Sequence, residues 1–190
     1  AGQMYDYDTR VTGPEDPSNY MNNWSTGYSM LTYCLDAIDK ATNEYADNYV
    51  TRGIAEVMLA YNLALATDLY GDMPWTEACN YIEYMQPKLD KQEDIYKDVF
   101  KYLDLALEAL QQTDLDPIGS SDLIYNGYKK LWTKAVYALK ARYTMRLLNR
   151  STDTTGDLNK ILDYISKSFI PADEEMKFAK YDRNSYTTLY

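Results

Sequence analysis

Asp72, Glu77 and the run Asp173-Glu174-Glu175 come nearest, by type and grouping, to a reaction centre. Two carboxyl groups on either side of a glycosidic bond can cleave it, one as general acid and the other as base or nucleophile. A structural reading competes and is stronger. Asp72 fits a turn, Glu77 a helix start and the acidic run a solvated face, and 29 acidic residues in 190 make some proximity inevitable. The chain has no histidine, so a Ser–His or Cys–His pair cannot form within it. Without histidine, a cysteine cluster or an HExxH pattern, no zinc site is expected. No GxSxG elbow and no glycine-rich phosphate loop is present. Asp114-Leu115-Asp116-Pro117-Ile118-Gly119 opens like a calcium loop, but Ile118 stands at a ligand position and Tyr125 where the loop's closing Glu belongs. The residues thus predict no catalytic group, no metal, no cofactor and no enzyme.

Binding chemistry is better represented. Tyrosine occurs 21 times, beside three Trp and three Phe. Its ring offers an apolar face and a polar tip, suited to cores, interfaces and sugar rings. Most of these tyrosines recur at helical spacing and read as packing residues. Tyr5-Asp6-Tyr7-Asp8-Thr9-Arg10 lies in a segment without such a period. There Tyr5 and Tyr7 could stack on a sugar or peptide while Arg10 supplies directed hydrogen bonds, or the segment is simply a tail. Trp75 is the fourth candidate ligand-binding residue. An anchor that tucks Met73 and Trp75 onto the helices is its stronger reading, because a tryptophan beside proline usually fixes a turn. Cys34 and Cys79 are either a disulfide or a reactive thiol, or two small, unpaired, mostly buried side chains, the last being favoured, and spacing cannot decide whether they pair.

The net charge of −10 argues against nucleic acid as a partner and against adhesion to anionic lipid by charge alone. No apolar run approaches the length of a membrane span, and no basic-then-apolar segment opens the chain. The start at Ala1 and the stop after Tyr190 suggest a portion of a longer protein. Hydrophobic residues at 46% suffice for a core, so residues 1–190 are expected to form one helical region.

Five amphipathic stretches would position these groups. Tyr20, Trp24, Tyr28, Leu31, Leu35, Ile38, Ala41 and Tyr45 recur at steps of three and four, with a weak spot at Gly27 and a break at Asp47-Asn48. From Thr51 to Leu69 the apolar stripe is Ile54, Val57, Met58, Tyr61, Ala64, Leu65 and Leu69, stopped by Gly71 and Pro74. Ile95, Val99, Leu103, Ala106, Leu107 and Leu110 mark a third helix over 92–112. A fourth, from Lys129 to Leu148, carries Trp132, Val136, Leu139, Tyr143 and Leu147 on one face. Ala135, Ala138, Arg142 and Met145 lie on the next face, as if the helix were sandwiched. Leu158, Ile161, Leu162, Ile165 and Phe169 give a short fifth, ended by Pro171. Long loops at 70–90 and 114–127 separate them. No strand-like alternation extends beyond a few residues. The fold class is all-α, a degenerate array of TPR-like antiparallel helix pairs with long irregular loops.

Two blocks in this order resemble the SusD/RagB family of outer-membrane nutrient-binding lipoproteins, in its N-terminal helical half. The first is Leu69-Tyr70-Gly71-Asp72-Met73-Pro74-Trp75-Thr76-Glu77-Ala78. The second runs from Asp122 to Gly127 and on through Trp132, Val136, Leu139, Lys140 and Arg142. The likeness extends over residues 24–171. It implies a TPR-like scaffold, a longer protein with a loop-rich C-terminal half, and a lipid-bearing cysteine that this sequence lacks. It further implies a location on the extracellular face of the outer membrane. The implied function is non-enzymatic capture of oligosaccharides or peptides, passed to a TonB-dependent SusC-like transporter. The family's ligand residues do not lie in these two blocks, so Tyr5, Tyr7, Arg10 and Trp75 rest on their own chemistry alone. A TPR-like protein-interaction scaffold without a small ligand is the alternative, and a carboxylate glycosidase a distant third.

Overall fold

The computed structural model describes residues 18–80, 82–170 and 174–178, with side chains from residue 23 onward. Its helices are α1 (Ser18–Asp39), α2 (Tyr49–Tyr70), α3 (Gln92–Gln111), α4 (Lys129–Leu147) and α5 (Thr154–Lys167). A wide π-helical turn, Lys40–Glu44, extends α1, and 3₁₀ turns occupy Gly119–Ser121 and Leu148–Arg150. Each helix packs on the next in chain order, as antiparallel pairs joined by loops must. The described residues contain no strand; Met73 and Asp90 form an isolated antiparallel bridge.

One continuous core runs through α1 to α4. Leu31, Val57, Leu59, Leu63, Ile95, Val99, Leu103, Trp132 and Val136 are fully buried within it. Each such aliphatic side chain contributes roughly 1.5–3 kcal/mol by leaving water. The α2–α3 contact is closest at Gly53. A Cβ there would sit 2.9 Å from Leu110 Cγ and 3.3 Å from the Ala106 carbonyl oxygen, so only glycine permits this approach. Small residues on α2 (Ala55, Ala60, Ala64 and Ala66) are buried with it. Helix α1 continues unbroken through Gly27, where the residue pattern had a weak spot.

Three apolar stripes differ from the periodicity expectation. On α2, Leu65 and Leu69 are exposed, Leu69 at 61%, while Gly53, Ala55, Glu56 and Thr67 are buried. The cause is that α2 packs against both α1 and α3, so two sides of it are covered and size matters less than position. On α4 the first face is covered, but Arg142 and Met145 of the second face are open. On α5 only Ile161 is buried, and Leu158, Leu162 and Ile165 are exposed. That helix packs chiefly on α4, partly through rings: Tyr137 and Tyr164 lie 6.2 Å apart, and Lys140 and Lys167 sit over Tyr164 and Tyr137.

Candidate functional site

The loop after α2 is built by carboxylates borrowed from further along the chain. Gly71 N–H donates to the Thr67 carbonyl, which also receives the Gln92 side-chain amide at 2.7 Å. Asp72 accepts the Gln92 backbone N–H and pairs with Lys91, so it fastens the start of α3. Met73 and Asp90 exchange two backbone hydrogen bonds, with Met73 fully buried. Oδ2 of Asp90 accepts the backbone N–H groups of Trp75 at 2.9 Å and Thr76 at 2.8 Å. Burial opposes the Asp90 charge, yet those N–H groups and the Thr76 hydroxyl hold its carboxyl below the ordinary value. Trp75 itself is 6% exposed, and its indole N–H donates to Asp98 on α3 at 2.8 Å. Across the loop the Tyr28 hydroxyl donates to the Pro74 carbonyl.

Around this anchored turn opens a depression of about 350 Å³. Trp75, Asn80, Asp98, Lys101 and Tyr102 are among its walls. Trp75 meets Tyr102 edge to face at 6.2 Å. Tyr28 and Thr32, which touch the same loop through Pro74 and Cys79, also line an open hollow of about 500 Å³ along α1 with Trp24, Ser29 and Tyr33.

The second loop closes on itself. Asp122, 6% exposed, accepts backbone N–H groups from Ile124, Tyr125 and Gly127 and the Trp132 indole N–H at 2.7 Å. Burial pushes its carboxyl up, but the Trp132 indole and the three backbone donors win and hold it low. Gly127 has φ +76°, and a Cβ on it would meet Ile118 Cγ2 at 3.0 Å, so glycine is required twice over. Beside this loop lies a wider cleft, about 780 Å³, lined by Val50, Pro117, Ile118, Tyr128 and Leu131 together with Lys130 and Lys134. Lys134 pairs with Glu174, whose carbonyl accepts the Tyr125 hydroxyl. Asp114 sits at the same cleft and accepts the Val50 N–H at 2.8 Å, capping α2 from outside the helix.

Of the sequence candidates, Tyr5, Tyr7 and Arg10 lie outside the described residues, as does Asp173 of the acidic run. Trp75 is an anchor whose ring forms a wall of the smaller depression. Asp72 and Glu77 do not have the acid–base character of a glycosidase pair. The Gln92 N–H and Lys91 hold Asp72 low, and the Lys88 backbone N–H, with burial opposing, holds Glu77 low. A hydrolytic acid needs the reverse shift. The one described carboxyl raised toward neutrality is Glu56, to about 7, chiefly by burial. It lies between α2 and α3, and its Oε2 is buried without a hydrogen-bond partner. Cys34 and Cys79 are both free thiols, and burial pushes Cys34 up to about 11. Among the described residues no group of three His, Cys, Asp or Glu could hold a metal ion. Sequence reasoning missed Asp98, Lys101 and Tyr102. They fall on the flank of α3 next to its apolar stripe, and only the folded loop brings them to Trp75.

A SusD-like family model, described as starch-binding and associating with the outer membrane, matches residues 4–189. A crystal structure of a SusD/RagB family protein from Bacteroides thetaiotaomicron is similar, with a TM-score of 0.86 and 43% identity, over 96% of this chain and 38% of that one. SusD homologues from Bacteroides fragilis and Bacteroides vulgatus share the fold. Their TM-scores are 0.63 and 0.60 and their identities 19% and 23%; they cover 80% and 75% of this chain and 32% and 29% of their own. The chain thus spans about a third of the length of these structures. No curated protein matches it.

Proposed function

Since the chain belongs to the SusD-like family, we propose that it is the helical part of a cell-surface binding protein that captures nutrient and does not transform it. The nutrient is an oligosaccharide or a peptide, passed to a TonB-dependent SusC-like transporter in the outer membrane. The observation that carries this reading is the family match over residues 4–189, with a relative of the same family at 43% identity. The whole protein is proposed to include a loop-rich C-terminal half and a lipid anchor on the extracellular face. Tyr5, Tyr7, Arg10 and Trp75 remain the proposed ligand contacts from sequence.

The physical support is a division of labour. Packed helix pairs form a rigid body, and irregular segments hang from them with aromatic and polar groups in fixed places. The low carboxyls at Asp72 and Glu77 favour binding over glycoside hydrolysis. Ile82, Met85 and Leu89 are exposed in the 70–90 loop, Met85 at 91%, and suit a protein partner more than a sugar. The test is to incubate the intact protein with soluble starch, maltoheptaose and a peptide library. Retention of one of these without new reducing ends or cleaved peptide is expected. Release of product from a defined substrate defeats the binding-only reading.

A further inference from the structure

We infer that the depression beside Trp75 is a subsite for an uncharged sugar ring, continued along the outer face of α1. The inference rests on the capture reading above and gives it an address within the helical part, adding Asn80, Asp98, Lys101 and Tyr102 to the Trp75 that the sequence block contains.

Three elements meet at the depression: Leu35 from α1, Trp75, Thr76, Cys79 and Asn80 from the loop, and Asp98, Lys101 and Tyr102 from α3. Its volume of about 350 Å³ lies at the lower end of small-ligand sites. The walls are fixed before any ligand arrives. The Trp75 backbone is held by Asp90, its indole by Asp98, and the loop carbonyl at Pro74 by Tyr28. Such prior fixing lowers the ordering cost of binding. The lining has two kinds of group side by side. Tyr102, half-buried and backed edge to face by the buried Trp75, offers aromatic surface to the C–H face of a pyranose. Asp98, Asn80 and Lys101 offer a carboxylate, an amide and an ammonium to its hydroxyls.

The hollow along α1 extends the same chemistry. Ser29 and Thr32 donate their hydroxyl hydrogens to the carbonyls of Ser25 and Tyr28; the Ser29 oxygen lone pairs can accept from a ligand, while Thr32 is also engaged with Cys79. Tyr33 stands beside them at 68% exposure. From Trp24 to Leu35 the helix rises ~16 Å, more than one sugar ring. Charge selects among glycans. Asp98 and Lys101 offset each other within the depression, and the chain carries −10 overall, which repels sulfated or uronic chains. The larger cleft at Pro117 and Ile118 is walled mainly by apolar groups, and its two carboxylates, Asp114 and Glu174, are already engaged by the Val50 N–H and by Lys134.

The test is calorimetric titration of maltoheptaose, cellohexaose and laminarihexaose into the full chain and its variants. Asn80→Ala/Lys101→Ala and Tyr33→Ala change exposed side chains, and Tyr102→Leu keeps bulk while removing the aromatic face. Thermal melts monitored by circular dichroism check that each variant is folded. For the glycan that binds, the double variant and Tyr102→Leu are expected to weaken Kd at least tenfold and Tyr33→Ala about threefold. Tyr128→Ala, in the other cleft, is expected to leave it within twofold. Wild-type affinity in the folded double variant and in Tyr33→Ala overturns the subsite and leaves the capture reading standing. A wild-type protein that binds none of the three glycans overturns the subsite, and the capture reading falls only if the peptide library is not retained either.

Discussion

The two loops solve one problem by opposite means. Each fastens a tryptophan indole N–H to an aspartate and collects backbone N–H groups on a carboxylate. In the 114–127 loop a single side chain, Asp122, does both, with every partner within ten residues. In the 70–90 loop the work is divided among Asp72, Asp90 and Asp98, and the last two reach Trp75 from 15 and 23 residues away. The local solution buries its carboxylate and closes. The distributed solution needs α3 in place before the turn is complete, and it leaves polar groups around an open depression. A loop assembled from distant parts thus leaves polar groups around its hollow, whereas the self-contained one spends its carboxylate inward and lines its own cleft mainly with apolar groups.

Removing the α4 tryptophan that the closed loop holds tests that contrast most severely. Trp132→Ala is expected to cost about 4 kcal/mol, since the ring is fully buried and packs edge to face with Tyr125 at 5.3 Å. Urea unfolding monitored by circular dichroism gives the value, and a loss under 1 kcal/mol breaks the claim that this loop directs its carboxylate inward. The aspartates come next. Asp122→Ala strands buried donors and is expected to cost about 3 kcal/mol, whereas Asp90→Ala frees N–H groups that water can reach and costs about 1 kcal/mol. Equal losses in the same unfolding assay erase the distinction between local and distributed solutions.

A pH series sharpens the comparison with a smaller effect. Asp90 and Asp122 have lowered carboxyls, so their stabilisation is present above the ordinary value of 3.8 and is lost as pH falls through the folded values. Glu56 has the opposite sign. Raised from 4.5 to about 7, it contributes stability below pH 4.5 that disappears as pH rises toward 7. Glu56→Gln is expected to remove a decline of about 2 kcal/mol across that window and leave the acid limb unchanged. An unaltered slope between pH 4.5 and 7 rejects the assignment.

Much of this molecule was legible without coordinates. The period of α3 placed Ile95, Val99, Leu103 and Leu110 inside, as they are, because a helix covered on one side obeys a single stripe. Gly71 and Gly127 marked their turns, since few residues but glycine accept positive φ. The two tryptophan blocks named the family because their spacing encodes those turns. Pattern failed on α2, α4 and α5, where neighbours rather than residue type set exposure. Leu69 is open and Glu56 closed because of what packs beside them. The depression next to Trp75 was likewise invisible. Asp98, Lys101 and Tyr102 are ordinary flank residues of a helix until the loop folds back over 20 residues to meet them. Sequence determined the helices, their stops and the kinship, all of which depend on local steric rules and short spacing. Tertiary structure decided which faces water reaches and which distant side chains share a hollow, because those depend on contacts that no local rule contains.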